Sequence, residues 1–98
     1  MLRGRDLADY LKRSRTAAGL SQKEVASTLG YKSSQFVSNW ERGLSSPPIP
    51  TLRRLCSLYK TSEDDMFRMV RDIAVRQLEA ELHREFYAKA EEKVVETT

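Results

Sequence analysis

Residues 20–43, LSQKEVASTLGYKSSQFVSNWERG, carry the pattern that decides the fold. Two short helical segments flank a turn at Gly30, and Gly43 ends the stretch. Ser21 followed by Glu24 is a capping box, because the hydroxyl and the carboxylate can each accept a hydrogen bond from a free backbone amide at a helix start. The stretch therefore predicts two helices joined by a tight glycine turn, the first of them beginning directly after Ser21.

Three further helices are predicted on either side of this stretch. Apolar residues at helical spacing predict a first helix over residues 5–17 and a fourth over about residues 50–59. From Glu63 to about Lys93 there is no glycine or proline, so we expect one helix, capped by Ser62 and about 45 Å long. No strand-like alternation of useful length occurs. The predicted fold class is all-α, with five helices of which the C-terminal one is long.

Charge is distributed unevenly along the chain of 98 residues. Residues 1–60 hold eleven Lys and Arg against four Asp and Glu, a net charge of +7, whereas residues 61–98 hold six against ten, a net charge of −4. This pattern suggests a polyanion-binding body beside a segment with another task, although two solvated surfaces without a partner would give the same totals. Residues 1–11 lack the apolar stretch of a secretory signal and no apolar run is long enough to span a membrane. We therefore expect a cytoplasmic protein.

Patterns typical of catalytic or metal-binding sites do not occur in the sequence. Cys56 is the lone cysteine and falls among leucines, where a buried, inert thiol is expected rather than a nucleophile. His83 has no second His or Cys near it, so no metal site is expected. Without a glycine-rich phosphate loop, a carboxylate pair or a nucleophile with its base, we expect neither an enzyme nor a bound cofactor.

Amide and hydroxyl side chains mark one face of the third predicted helix. Gln35 and Asn39 lie four residues apart on that face, and Gln or Asn can hold adenine through two hydrogen bonds in the DNA major groove. Ser38 suits either close approach to DNA or a tight contact between helices. A solvated polar face is the alternative for Gln35 and Asn39. Phe36 is expected to stack in the core with Trp40, its alternative being contact with a thymine methyl group.

The sequence resembles the helix-turn-helix DNA-binding domains of the lambda repressor and Cro type, a group that includes the xenobiotic-response-element regulators. The resemblance covers about residues 7–66 and rests on a set of positions: Arg15, Leu20-Ser21-Gln22, Ala26, Gly30, Ser38 and Glu41-Arg42-Gly43. It implies a five-helix fold in which the third helix enters the major groove. This chain has one residue more than the family pattern within residues 31–34, so the family register is anchored from Val37 to Gly43, and the third helix is expected to start at Ser33 or Ser34.

The resemblance also implies functions for individual residues. It implies an ion pair between Arg15 and Glu41, a phosphate contact from Gln22, and base contacts from four residues: Ser34, Gln35, Ser38 and Asn39. Nearby cations are further candidates for phosphate contacts, which would make binding weaken steeply with salt, and a free surface charge is the alternative for each: Lys12, Arg13, Lys23, Lys32 and Arg42.

The last helix carries an apolar stripe that needs cover, formed by Val75, Leu78, Leu82 and Phe86. We expect this stripe to pack against a second copy of the chain rather than to fold back onto its own domain. Glu85 interrupts the heptad pattern, so an irregular helical interface is expected rather than a regular coiled coil. The chain is accordingly divided into a helix-turn-helix DNA-binding domain at residues 1–66 and a helical dimerisation extension at residues 67–98.

Together these features predict a transcriptional regulator that binds double-stranded DNA sequence-specifically, as a homodimeric repressor on an inverted-repeat operator. The alternative is an antitoxin-type interaction module, in which the segment 61–98 binds a partner protein, a toxin or another regulator, while the domain represses its own promoter. No membrane partner is expected under either hypothesis.

Overall fold

The computed structural model describes residues 4–96, and the side chains of residues 6–88. Within that range it contains helices and no strands: α1 Gly4–Ala17, α2 Gln22–Leu29, α3 Gln35–Glu41, α4 Ile49–Tyr59 and α5 Glu63–Glu96. The predicted all-α fold with five helices and a long C-terminal helix is confirmed. The outer ends of the two predicted domain spans, residues 1–3 and 97–98, lie outside the described residues.

Local sequence signals fix both ends of α2. The Ser21 hydroxyl accepts a hydrogen bond from the Glu24 amide at 3.0 Å, and the Ser21 amide donates to Glu24 Oε1 at 2.8 Å. The backbone amide and the hydroxyl of Ser21 both donate to the Glu24 carboxylate, and these two hydrogen bonds lower the pKa of that carboxyl. At the other end, Gly30 has a φ of 94°, a left-handed conformation that glycine adopts without steric cost. The turn between α2 and α3 thus starts at a fixed place.

The passage from α4 to α5 is equally well specified. Pro50 lies in the first turn of α4, where its missing amide hydrogen costs nothing, and Lys60 ends α4 in the left-handed conformation with a φ of 57°. The Ser62 hydroxyl then accepts a hydrogen bond from the Asp65 amide at 3.2 Å and caps α5. The two helices therefore meet at a sharp corner and pack against each other.

One hydrophobic core joins the first four helices to the start of α5. α1 packs against α3, α4 and α5, while α2 packs against α3. The core consists of side chains that are almost fully buried: Leu7, Leu11, Val25, Ala26, Val37, Trp40, Leu52, Leu55, Cys56, Tyr59 and Met66. Because Val37 and Trp40 anchor one side of α3 in this core, the opposite side of α3 is held facing outward.

The distal part of α5 extends beyond the body of the protein, which consists of α1 to α4 and the start of α5. The chain measures 63 × 28 × 19 Å along its principal axes, and every described side chain from Gln77 to Ala88 is exposed. The stripe residues Val75, Leu78, Leu82 and Phe86 are 48%, 55%, 57% and 69% exposed. The alternative in which the stripe folds back onto its own domain is therefore not adopted.

Candidate nucleic-acid interface

α3 divides sharply into a buried and an exposed side. Val37 and Trp40 are 1% and 3% exposed, whereas Gln35 is exposed, and Ser38 and Asn39 are partly so. α3 begins at Gln35, slightly later than expected, and Ser34 occupies the position before the helix without making a side-chain cap. The Gln35 amide instead donates to the Ser33 hydroxyl at 3.3 Å. The four predicted base-contacting residues thus lie at the start and along the outer side of one short helix.

A hydrogen-bonded chain orders the polar face of α3. Gln35 Nε2 donates to Asn39 Oδ1 at 3.0 Å, and Arg42 Nη2 donates to the same oxygen at 2.9 Å. Two donors use both lone pairs of that oxygen, so Asn39 keeps its amide hydrogens as donors while Gln35 keeps its carbonyl oxygen as an acceptor. One acceptor beside one donor is the complement of the adenine edge in the major groove.

Phe36 is not in the core, and the prediction that it stacks with Trp40 is wrong. Its side chain is 52% exposed, and its ring packs on Tyr31 with the centroids 4.8 Å apart. Tyr31 in turn meets Trp40 edge-on at 5.9 Å. The ring of Tyr31 lies between Phe36 and Trp40, because the turn between α2 and α3 places it against both of those rings. Three rings therefore lead from the core to the surface and support Phe36 beside the polar face.

Tyr31 is the residue that the sequence analysis missed. The Tyr31 amide donates to the Ala26 carbonyl at 2.9 Å, which is the hydrogen bond that spans more residues of the two that end a helix in a Schellman motif. In that motif the residue after the glycine commonly makes an apolar contact with the last turn of the helix. An aromatic residue directly after Gly30 was the signal that could have placed Tyr31 against the domain.

Glu41 is the centre of a second polar network at the edge of the core. Arg15 Nε lies 2.7 Å from Glu41 Oε2 and Arg15 Nη2 lies 3.1 Å from Oε1, with 13% and 3% of the two side chains exposed. The hydrogen bond and the negative charge of Glu41 raise the pKa of Arg15, which is therefore cationic at any physiological pH. Arg15 Nη1 also donates to the Leu20 carbonyl at 2.8 Å. The ion pair implied by the resemblance is thus present and links α1 to the end of α3.

Gln22 joins the same network. Its Nε2 donates to Glu41 Oε1 at 2.9 Å, a contact that was not predicted. Since an amide nitrogen carries two hydrogens, one remains for another acceptor such as a phosphate oxygen. The first residue of α2 is thereby oriented by the last residue of α3.

The five cations predicted as candidates for phosphate contacts are all exposed, and they lie on or beside the first three helices. Lys12 and Arg13 are on α1, Lys23 is on α2, Lys32 is in the turn, and Arg42 comes directly after α3. Arg54 on α4 donates to the Thr28 carbonyl at 3.3 Å and so connects α4 to α2.

Three further observations on the described residues concern metal ligands, the thiol of Cys56 and membrane-spanning helices. Among these residues, no group of three or more His, Cys, Asp or Glu side chains is placed to hold a metal ion. Cys56 is 2% exposed, and its burial raises the pKa of the thiol. Over the same residues, no helix is both long and apolar enough to cross a membrane.

Comparison with known proteins adds one match. The family model described as a helix-turn-helix domain matches residues 6–68, which cover most of α1, all of α2 to α4 and the first residues of α5. No curated protein matches the sequence. The family match confirms the resemblance to helix-turn-helix domains of the lambda repressor and Cro type.

Proposed function

The chain belongs to the helix-turn-helix domain family, and we propose that it is a sequence-specific regulator that reads double-stranded DNA with the outer face of α3. The observation that carries the proposal is the ordered polar face on a helix whose other side is fixed in the core. A face with this preorganisation loses little conformational entropy when it binds, which favours recognition over a merely solvated surface.

Base reading is assigned to Ser34, Gln35, Ser38 and Asn39. Gln35 and Asn39 act as a pair, because their mutual hydrogen bond uses the amide nitrogen of Gln35 and the carbonyl oxygen of Asn39. The pair offers an acceptor and a donor to adenine, while Ser38 allows close approach. Phe36 stands beside this face as an apolar surface for a thymine methyl group, since it is exposed and supported by Tyr31.

Phosphate contacts are assigned to the second hydrogen of Gln22 and to four exposed cations: Arg13, Lys23, Lys32 and Arg42. Each cation that neutralises a phosphate releases counterions, so affinity should fall steeply as salt rises. Arg42 has a second function in this scheme, because its hydrogen bond to Asn39 orients a base-reading amide.

The regulator is proposed to act as a homodimeric repressor on an inverted repeat, with the domain at residues 1–66 binding DNA and the extension at 67–98 joining two copies. The uncovered stripe on α5 supports this division, because apolar side chains in such a row are stabilised when a partner removes them from water. An antitoxin-type module would use the same stripe for a different protein. Co-purification at native levels separates the two, since a stoichiometric small partner is expected only for the antitoxin.

The test is gel-shift titration against genomic fragments at two salt concentrations, with three proteins compared: wild type, Gln35→Ala and Lys32→Ala. Gln35→Ala should relax the preference at one base position, a loss of about 1–3 kcal/mol of discrimination. Lys32→Ala should weaken every sequence alike and reduce the salt slope by about one.

Circular dichroism provides the control that both variants keep the helical fold, as expected from the exposure of the two side chains. Failure of the wild type to prefer any fragment over random DNA would refute the proposal. Equal losses on all sequences for both variants would refute the assignment of Gln35 while leaving DNA binding intact.

A further inference from the structure

An apolar groove runs between α4 and the first half of α5. It has a volume of about 560 Å³ and is lined from α4 by Ile49, Leu52 and Cys56, and from α5 mainly by Phe67, Val70, Ala74 and Val75. Ile49 and Phe67 at its margin are 62% and 64% exposed. The body thus has an open apolar hollow in addition to the uncovered stripe farther along α5.

The groove and the stripe form one continuous seam. Val75 belongs to both, since it lines the groove and begins the row of exposed residues that ends at Phe86. Along the seam, Phe67 and Ala74 are seven residues apart, as are Val75 and Leu82. Apolar positions that recur every seven residues on one side of a helix favour another helix lying alongside. A single partner helix can therefore cover both features.

The two halves of the seam are complementary in shape and length. The groove extends along α5 from Glu63 to Val75, about 18 Å, and the stripe from Val75 to Phe86 extends about 17 Å, at ~1.5 Å per residue. The α5 wall of the hollow includes the small residue Ala74, whereas the stripe projects the large side chains of Leu82 and Phe86. The large side chains of the stripe can therefore fill the hollow of the groove.

We propose that the occupant of the groove is the stripe of a second copy, with the two α5 helices antiparallel, which rests on the homodimer proposed above. A two-fold axis near residues 76 and 77 places Phe86 of each copy opposite Phe67 of the other and fills both grooves at once. In a parallel pair, each groove would instead face its own equivalent and the large stripe side chains would meet one another far from the hollows.

The antiparallel arrangement also suits the proposed DNA site. With the axis near residues 76 and 77, the two Met66 residues, where α5 leaves the core, are separated by about 30 Å along the helix axis at ~1.5 Å per residue. Two adjacent half-sites on one face of DNA are about 34–36 Å apart. The long helix therefore acts as a spacer as well as a dimerisation element.

Disulfide cross-linking tests the pairing directly. In a Cys56→Ala background, Phe67→Cys and Phe86→Cys proteins are prepared singly, mixed in equal amounts to exchange subunits, oxidised, and separated on a non-reducing gel. The mixture should give a covalent dimer in up to about half of the chains, while neither variant alone cross-links above background. Self-cross-linking of Phe86→Cys alone would establish a parallel pair and overturn the proposal, as would a mixture that stays monomeric.

A second measurement does not depend on introduced cysteines. In light scattering on the full chain, Leu82→Glu should convert a dimer to a monomer, whereas Ala80→Glu should not, because residues two apart point about 200° from each other around a helix. A monomeric wild type, or a dimer that survives Leu82→Glu, overturns the proposal. Gel shifts with the same proteins distinguish the pairing proposal from the DNA-binding proposal. If the protein prefers particular DNA sequences but its α5 helices do not pair, the DNA-binding proposal stands and only the pairing proposal is rejected.

Discussion

The body and the distal part of α5 use the same kinds of residue in opposite environments. Leu55 in α4 is 1% exposed, while Leu82 in α5 is 57% exposed. The body therefore holds the apolar contacts that stabilise it within one chain, whereas every side chain of the tail, residues 77–88, is exposed. A helix without tertiary contacts is marginal in water, so the tail gains its stability from whatever covers it. The stability of the body is therefore determined by a single chain, whereas in the proposed dimer the stability of the tail depends on a second chain.

The largest expected effect comes from truncating one leucine in each region. Leu55→Ala should lower the free energy of unfolding by about 3–4 kcal/mol, because it removes buried contacts and leaves a cavity. Leu82→Ala should lower it by an amount that grows with protein concentration, since its contacts lie between chains. Urea titrations at two protein concentrations measure both. A concentration-independent loss for Leu82→Ala would place its contacts within the chain and remove the contrast.

The elements of the body were predictable because their signals are local. The Ser21–Glu24 capping box, Gly30 in its left-handed turn and the Ser62 cap depend only on neighbouring residues, so spacing alone revealed them. The polar face of α3 could be predicted from the helical spacing of its residues, although the helix begins at Gln35, slightly later than expected. The fold class needed no long-range information.

Contacts across the fold could not be derived in the same way. The exposure of Phe36 depends on where Tyr31 lies after the extra residue in the turn, and the helical spacing of residues in α3 contains no information about that. The hydrogen bond from Gln22 to Glu41 joins residues 19 positions apart, and it became visible only once α2 and α3 were packed together. The groove is likewise a property of the angle between α4 and α5 rather than of either helix.

Two ion pairs extend the comparison of buried and exposed regions to charged side chains. The Arg15–Glu41 pair is buried in the body, whereas Arg68 and Asp65 on α5 form a pair at 2.6 Å with 60% and 58% of their side chains exposed. Glu41→Ala should cost about 3 kcal/mol of unfolding free energy, because it leaves the charge of Arg15 buried without its partner. Arg68→Ala should cost less than about 1 kcal/mol, since solvent screens the exposed pair.

Chemical denaturation at neutral pH compares these two variants with the wild type, and circular dichroism first shows whether each is folded. Comparable losses would mean that Glu41 contributes through solvent-screened charge alone. In that case, the network around Glu41 would not be what holds α3 against α1.

The smallest of the three effects concerns Tyr59 and alkaline pH. Burial, followed by the negative charge of Glu41, raises the pKa of Tyr59 to about 12, against the effect of Arg15. An unfolded tyrosine ionises near pH 10, so below that pH the phenol is neutral in both states and its contribution to stability is complete. Between pH 10 and pH 12 the unfolded state alone loses its proton, and the free energy of unfolding falls by about 1.4 kcal/mol per pH unit, about 2–3 kcal/mol in all.

Tyr59→Phe should remove this part of the alkaline loss. Urea titrations of the wild type and Tyr59→Phe at pH 9 and pH 11 isolate the difference, because every other titratable group is common to the two proteins. If Tyr59→Phe loses as much stability between those pH values as the wild type, the phenol of Tyr59 must reach solvent in the folded chain. The boundary between buried body and exposed tail would then have to be drawn before the end of α4.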